Sequence, residues 1–118
     1  MNALLTYRRL TETDIPTFVA MRITQLKEEG AQSDLDLEPA LTTYYQKHLT
    51  DGTFVSWLAV DGERIIGTSG MSFVEKPPYY SNPTGKIGLL SSMYTNPTYR
   101  RQGIARKLLD HVVEEART

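Results

Sequence analysis

The residues best suited to chemistry lie in a short basic segment, RRQGIAR, from Arg100 to Arg106. Apolar residues recur at helical spacing from Ile104 onward, so a helix is predicted to begin within this segment. The first turn of a helix leaves backbone N–H groups unpaired and carries the positive end of the helix dipole. Small residues at Gly103 and Ala105 allow an anion to approach that backbone. The segment is therefore a candidate phosphate site.

Cationic side chains stand around the same turn, at Arg100, Arg101, Arg106 and Lys107. Arginine suits phosphate because its guanidinium group presents paired donors. The alternative for each side chain is a solvated basic face, and Arg106 and Lys107 fit that role better. By itself the pattern RxxGxA is weak, because glycine near a helix start is common. The backbone N–H groups therefore carry the phosphate prediction.

The sequence before the basic segment strengthens this interpretation. A predicted strand begins at Lys86 and ends in Met93-Tyr94-Thr95, and Asn96-Pro97 connects it to the basic segment. The stretch that ends at Ala116 resembles the acetyl-CoA-binding segment of the GCN5-related N-acetyltransferases, the GNAT superfamily. In that family a strand, a short connection, the pattern (Q/R)xxGx(G/A) and a helix follow one another. The three defining positions are held here by Arg100, Gly103 and Ala105.

The resemblance implies that acetyl-CoA is the co-substrate. Backbone N–H groups from Arg101 to Arg106 would cradle its pyrophosphate. The backbone of Met93 and Thr95 would pair with its pantetheine arm like an added strand. The implied cofactor-binding residues are Met93, Tyr94, Thr95, Arg100, Arg101, Gln102, Gly103, Ile104, Ala105 and Arg106.

Acetyl transfer to an amine needs a deprotonated nucleophile, a stabilised oxyanion and a proton for the leaving thiolate. The resemblance implies a backbone N–H at Met93 or Tyr94 as the oxyanion donor. Many relatives carry a glutamate base on or near this strand, which here contains no carboxylate. The side chains that remain are Ser91, Ser92 and Tyr94, with Glu75 on the preceding strand, and structural roles are the alternative for the serines and Glu75. The catalytic candidates are Met93, Tyr94 and Ser92.

The amino-acid composition excludes several classes of function. The 118 residues suffice for one domain, and 40% apolar with 23% charged residues is ordinary for a globular protein. A net charge of −1 argues against nucleic-acid binding as the main role. With no cysteine and only His48 and His111, thiolate nucleophiles and Cys- or His-rich metal sites are excluded, and no metal is expected. No apolar run suits a signal peptide or a membrane span, so a cytoplasmic protein without a membrane partner is expected.

Periodicity predicts the secondary structure and the fold class. Strands are predicted at residues 3–9, 53–60, 64–74 and 86–94, and helices at 15–30, at 40–49 and after residue 98. Asp61-Gly62 indicates a hairpin, and three prolines indicate a loop at residues 76–85. The order β-α-α-β-β-β-α predicts an α+β (α/β) fold with a mainly antiparallel sheet, in one domain over residues 1–118. Strand glycines indicate bulges or close backbone approaches, with unpacked strand positions as the alternative, at Gly67, Gly70 and Gly88.

Two further groups are candidates for the acceptor side. In relatives the first two helices line that side, and acidic residues between them can attract a cationic amine, although a solvated connection is the alternative. These residues are Glu28, Glu29, Asp34, Asp36 and Glu38. Tyr79 and Tyr80 in the proline-rich loop are candidates for an acceptor pocket, with packing against the prolines as the alternative.

In the GNAT superfamily a strand, a helix and usually two more strands follow the helix that ends this sequence. They include a tyrosine that serves many relatives as general acid. We therefore expect an incomplete domain, the N-terminal two-thirds of the fold, with an unpaired edge on the strand at 86–95. An unpaired edge favours association. Self-association as a homo-oligomer, or marginal stability, is the expectation.

Three functions compete. The leading hypothesis is an N-acetyltransferase that moves an acetyl group from acetyl-CoA to a primary amine, on a small molecule or a peptide, by direct attack in a ternary complex. The alternative is an acetyl-CoA-binding or CoA-binding module without turnover. The third, an unrelated phosphate-binding α/β protein, is disfavoured because the sequence has no GxxxxGK(S/T) loop. The sequence does not identify the acceptor.

Overall fold

The computed structural model describes residues 5–30 and 35–117. Within these residues the chain forms five strands and three α-helices, in an order that follows the predicted one. They are β1 (Leu5–Arg9), α1 (Ile15–Glu28), α2 (Glu38–Asp51), β2 (Phe54–Val55), β3 (Trp57–Asp61), β4 (Arg64–Glu75), β5 (Lys86–Thr95) and α3 (Ile104–Ala116). The predicted α+β class with an antiparallel sheet is confirmed.

The strands form one antiparallel sheet in which β1 pairs with β3, β3 with β4, and β4 with β5. The strand predicted at 53–60 is divided into β2 and β3, which both pair with β4. The division has a side-chain cause. The Ser69 hydroxyl accepts a hydrogen bond from Trp57 N (3.0 Å) and donates one to Trp57 O (2.8 Å), so a side chain occupies the place of a ladder bond.

The hairpin between β3 and β4 lies one residue later than the sequence indicates. Asp61 still pairs with Arg64, so the two-residue loop is Gly62–Glu63. Gly62 has a φ of 64°, which favours glycine at the first loop position. The loop predicted at 76–85 is present between β4 and β5, with a bridge between Tyr79 and Asn82.

The two faces of the sheet bury separate cores. Helices α1 and α2 cover one face, where Phe18 and Tyr45 meet Phe54 and Leu58. Helix α3 covers the other face. The apolar side chains buried there are Ala59, Ile66, Ile104 and Leu108, with Met93 and Tyr99 packed against them. The start of α3 and the end of β5 therefore share one core, which fixes their relative position.

The strand glycines mark close approaches, as one of the two sequence interpretations proposed. A Cβ on Gly67 would stand 3.1 Å from Leu108 Cδ1, and one on Gly70 would stand 2.9 Å from Phe54 Cζ. Neither position accepts a side chain without movement of its neighbour.

Strand β5 lies at the edge of the sheet. Among the described strands it pairs with β4 alone, and Leu89 and Leu90 are each 50% exposed. The predicted unpaired edge is thus present in this part of the chain. Self-association through it stays a prediction, which light scattering tests.

Candidate functional site

Strand β5 contains a β-bulge that no residue pattern in its sequence predicts. Gly70 pairs with Ser91 and Thr68 pairs with Tyr94, so Ser92 and Met93 together oppose a single residue of β4. Ser92 has a φ of 56°, in the left-handed region that serine rarely adopts. Such bulges re-aim the backbone and often lie next to active sites. We call Ser92 and Met93 the bulge.

Hydrogen bonds fix the direction of each peptide group at the bulge. Thr68 Oγ1 donates to Ser92 O at 2.6 Å, and Asn96 N donates to Ile66 O at 2.8 Å on the β4 side. Alternate residues of an antiparallel strand face the same neighbour, so Tyr94 directs its N–H and C=O towards β4. Met93 and Thr95 direct theirs towards the open edge.

The open edge is partly occupied by side chains. Gln25 Nε2 on α1 donates to Met93 O at 2.9 Å, and Arg100 Nε donates to Thr95 O at 2.8 Å. Gln25 is 7% exposed, and its Oε1 accepts a hydrogen bond from Arg22 Nη1 at 2.9 Å. Helix α1 is thereby tied to the end of β5. Both carbonyls keep a second lone pair for another donor.

The segment Arg100–Arg106, which we call the basic turn, is shaped by its own residues. Asn96 Oδ1 accepts from Thr98 N at 3.0 Å and starts a short 3-10 turn at Pro97–Tyr99, and α3 begins at Ile104, within the basic turn as predicted. Gly103 caps α3 with a φ of 79°, and a Cβ built on it would meet no atom within 4 Å. The space beside Gly103 is therefore open to a ligand, and the first N–H groups of a helix have no partner within the helix.

The cationic side chains around the basic turn differ in the partners that they contact. Arg100 Nη2 lies 3.0 Å from Glu28 Oε1, and Arg106 Nε lies 3.3 Å from Asp110 Oδ1. Lys107 Nζ stands 5.6 Å from the centre of the Tyr7 ring. Within residues 5–30 and 35–117, Arg101 makes no hydrogen bond or ion pair and is exposed, with a φ of 67°. Its guanidinium group is therefore the one best placed to meet a ligand.

Glu28, Tyr94 and Arg100 form a polar cluster between α1 and β5. Tyr94 Oη donates to Glu28 Oε2 at 2.8 Å, and the Arg100 guanidinium lies 5.5 Å from the centre of the Tyr94 ring. Hydrogen bonds from Arg100, and next from Tyr94, lower the pKa of Glu28. Burial, and next the hydrogen bond to Glu28, raises the pKa of Tyr94. At neutral pH the carboxylate is therefore ionised and the phenol protonated.

The other catalytic candidates occupy different environments. Ser92 is 3% exposed, and its Oγ lies 3.4 Å from Tyr45 Oη in the core. Ser91 is half-buried next to the bulge, whereas Glu75 is exposed at the far end of β4, opposite Lys86. The structure therefore brings Ser92 and Tyr94 to the bulge and leaves Glu75 away from it.

The acidic residues named from the sequence do not form one group. Glu28 reaches the polar cluster, while Glu29, Asp36 and Glu38 are exposed and Asp34 lies outside the described residues. Tyr79 and Tyr80 are exposed in the loop after β4. The part of the chain that the structure describes holds no group of three or more His, Asp or Glu side chains suited to a metal ion. None of its helices has the length and apolar character needed to cross a bilayer.

Comparison with known proteins identifies the family. A model of the acetyltransferase (GNAT) family matches residues 18–118. The chain belongs to this family. Comparison with curated protein sequences gave no significant match. The resemblance carried by Arg100, Gly103 and Ala105 is confirmed at the level of the family.

Solved structures similar to this GNAT chain agree on the fold. A structure described as a predicted acetyltransferase with acetyl-CoA, from Clostridium acetobutylicum, is 38% identical with a TM-score of 0.93, over 96% of this chain and 73% of that one. A GCN5-related N-acetyltransferase from Ralstonia eutropha is 23% identical with a TM-score of 0.86, over 94% and 74%. An aminoglycoside acetyltransferase from a soil metagenomic sample, in complex with sisomicin, is 22% identical with a TM-score of 0.66, over 94% and 68%. The last two support the fold alone.

Sequence reasoning missed two residues that the structure places at the bulge, Gln25 and Thr68. Gln25 is a polar residue on an apolar helix stripe, and Thr68 stands between strand glycines. Neither has a local pattern that indicates a contact with β5. A polar residue at a position where the pattern predicts an apolar one is the signal that the sequence offers.

Proposed function

We propose that this protein is an N-acetyltransferase that transfers the acetyl group of acetyl-CoA to a primary amine by direct attack in a ternary complex. One observation carries the proposal. The end of β5 presents an outward N–H at the bulge, and the basic turn follows five residues after Thr95 with the first N–H groups of α3, which have no partner within the helix. A thioester carbonyl and a pyrophosphate need these two kinds of donor.

The basic turn supplies the phosphate site in this proposal. The N–H groups at the start of α3 and the helix dipole favour an anion there. Gly103 leaves the approach open, and Arg101 adds a charge without another partner in the described residues. The similar structure from Clostridium acetobutylicum, 38% identical over 96% of this chain, is described with acetyl-CoA, which supports the choice of ligand.

The open edge of β5 supplies the site for the pantetheine arm. Met93 and Thr95 direct their N–H and C=O groups outward, so an extended amide chain can pair with them as a further strand. Gln25 and Arg100 each occupy one lone pair of the two carbonyls. The N–H groups of Met93 and Thr95 are then the main donors to the arm and its thioester.

The bulge assigns roles to the catalytic candidates. We assign the oxyanion to the N–H of Met93, since the N–H of Tyr94 faces β4. Ser92 acts through its backbone, because its hydroxyl lies in the core beside Tyr45. Tyr94 orients the polar cluster through its hydrogen bond to Glu28.

The polar cluster supports a second candidate function, binding without turnover. Glu28 and Tyr94 are the carboxyl and phenol groups of this cluster, and both are poor proton acceptors at neutral pH. Arg100 lowers the pKa of Glu28, and burial raises the pKa of Tyr94. Neither group can therefore serve as the general base that deprotonates an ammonium group. A CoA-binding module is therefore the alternative.

Two measurements on the purified chain decide between these functions. The first is a calorimetric titration with acetyl-CoA. The second is release of coenzyme A in the presence of a panel of primary amines, including polyamines, amino acids and an aminoglycoside. Binding with amine-dependent release supports the N-acetyltransferase, and binding without release supports the module. Absence of binding would contradict both.

A further inference from the structure

Thr68 is a buried polar residue that the proposed reaction does not use directly. It lies in the middle of β4, is 3% exposed, and pairs with Tyr94 across the ladder. Its hydroxyl donates to Ser92 O at 2.6 Å, within the bulge. At a bulge the backbone ladder is interrupted, so a side-chain hydrogen bond gains importance there.

The bond from Thr68 fixes the neighbouring N–H. A trans peptide group is planar, and its C=O and N–H point in opposite directions. Because Thr68 holds the Ser92 carbonyl towards β4, the N–H of Met93 in the same peptide group must point towards the open edge. This is the N–H to which we assign the oxyanion.

The backbone at the bulge is strained, and two side chains hold its peptide groups. Ser92 has a φ of 56°, and a residue other than glycine in this region costs free energy relative to the ordinary regions. Rotation of the Ser92–Met93 peptide group changes ψ of Ser92 and φ of Met93, and it would turn the N–H of Met93 away from the edge. Gln25 holds the next carbonyl, Met93 O, from the opposite side. Together, Thr68 and Gln25 hold the two peptide groups on either side of Met93 in one orientation.

We propose that Thr68 is a positioning residue for acetyl transfer, because its hydroxyl keeps the Met93 N–H aimed at the thioester oxygen. The inference rests on the function proposed above. In the step concerned, the amine nitrogen forms a bond to the acetyl carbon and the carbonyl electron pair moves to oxygen, which the Met93 N–H stabilises. The C–S bond then breaks, the electron pair leaves on sulfur, and the proton lost by the amine completes the coenzyme A thiol.

The test compares Thr68→Val with Thr68→Ser in the full chain. Valine has the shape of threonine without the hydroxyl, and serine restores the hydroxyl. Calorimetry gives the Kd for acetyl-CoA, and amine-dependent release of coenzyme A gives kcat and KM. Infrared difference spectra of acetyl-CoA with a ¹³C-labelled carbonyl report the polarisation of the thioester without turnover. Thr50→Val is the control, because the Thr50 hydroxyl donates to a backbone oxygen, Gln46 O, away from the bulge.

We expect Thr68→Val to lower kcat by roughly 10- to 100-fold, as a misdirected donor does, with the Kd for acetyl-CoA unchanged within about twofold. The carbonyl band should lose its shift to lower frequency. Thr68→Ser should recover both kcat and the shift of the carbonyl band, and Thr50→Val should match the wild type in both.

Three results would overturn the inference. Thr68→Val with wild-type kcat and carbonyl band would show that the hydroxyl has no part in aiming the donor. Equal losses of kcat and affinity, without recovery in Thr68→Ser, would show a structural role only. A wild-type chain that does not bind acetyl-CoA would remove the proposed function, and the inference with it, whereas the first two results leave that function intact.

Discussion

The basic turn and the bulge are near neighbours in the chain, but different forces hold their shapes. Within the basic turn, the positive φ angles at Arg101 and Gly103 and the cap on α3 arise from residues of the turn itself. The bulge is held by Thr68 of β4 and Gln25 of α1, which are 24 and 68 residues away from their partners. One part of the site is local, and the other is built by the tertiary fold.

Because of this difference, the two regions should control different quantities, namely the affinity for acetyl-CoA and the rate of acetyl transfer. The basic turn presents donors that exist whenever α3 forms, so it should determine how tightly acetyl-CoA binds. The bulge presents a donor whose direction depends on three packed elements, so it should determine how fast the acetyl group is transferred. Variants that change one property and not the other test this separation.

The largest expected effect is on affinity, from Gly103→Glu. The glutamate places a side chain in the open approach and a negative charge beside the phosphates, and it strains a backbone with a φ of 79°. Loss of several charge-assisted bonds should weaken acetyl-CoA binding by at least about 100-fold in a calorimetric titration. Gly52→Glu is the matched control, since Gly52 caps α2 with a φ of 81° and equally open surroundings. Retained affinity in Gly103→Glu would place the phosphates elsewhere.

The variant with the next largest expected effect is Gln25→Leu, which should lower the rate of acetyl transfer. The leucine fills a similar volume but cannot hold Met93 O, so the bulge loses its restraint on the α1 side. We expect kcat for amine-dependent release of coenzyme A to fall about tenfold, with little change in the Kd for acetyl-CoA. Gln46→Leu, at an exposed position of α2, is the control. A fall in affinity with unchanged kcat would reverse the roles given to the two regions.

A smaller effect is expected from Arg101→Gln, which removes a guanidinium group that has no partner in the described residues. Acetyl-CoA affinity should fall roughly threefold to tenfold, and the loss should shrink as salt rises, because exposed charges are screened. Arg106→Gln should change affinity less, since Arg106 is engaged with Asp110. Equal losses in both variants, measured by titration at low and high salt, would show a general charge effect.

The smallest effect is expected from Glu28→Gln, which weakens the link between α1 and the basic turn. The pair with Arg100 is exposed, so we expect only about a twofold loss of affinity. Arg100 and Tyr94 lower the pKa of Glu28 from 4.5, so the difference from wild type is fully present above pH 4.5 and is lost as the pH falls through the lowered value. Thermal melts and titrations over that pH range check it, with Glu29→Gln as the control. A difference that grows as the pH falls would contradict the assignment.

The sequence predicts the basic turn well and the bulge poorly, for a physical reason. Asn96, Pro97 and Gly103 act on their own neighbours, so their pattern carries the geometry of the turn. Ser92 has no such pattern, because serine is uncommon at positive φ and its restraint comes from other elements. The division of the strand at Ser56 was missed for a similar reason, since it depends on the Ser69 side chain of the neighbouring strand. Local rules predict elements, and tertiary contacts decide their irregularities.

We propose that the basic turn binds the pyrophosphate of acetyl-CoA. Calorimetric titration of the wild-type chain with acetyl-CoA and with S-acetylpantetheine, which lacks the pyrophosphate and the adenosine group, tests it most directly. We predict one site for acetyl-CoA and an affinity for S-acetylpantetheine that is lower by at least about 100-fold, since it makes no charge-assisted bonds to the turn. Equal affinity for the two compounds would contradict the claim.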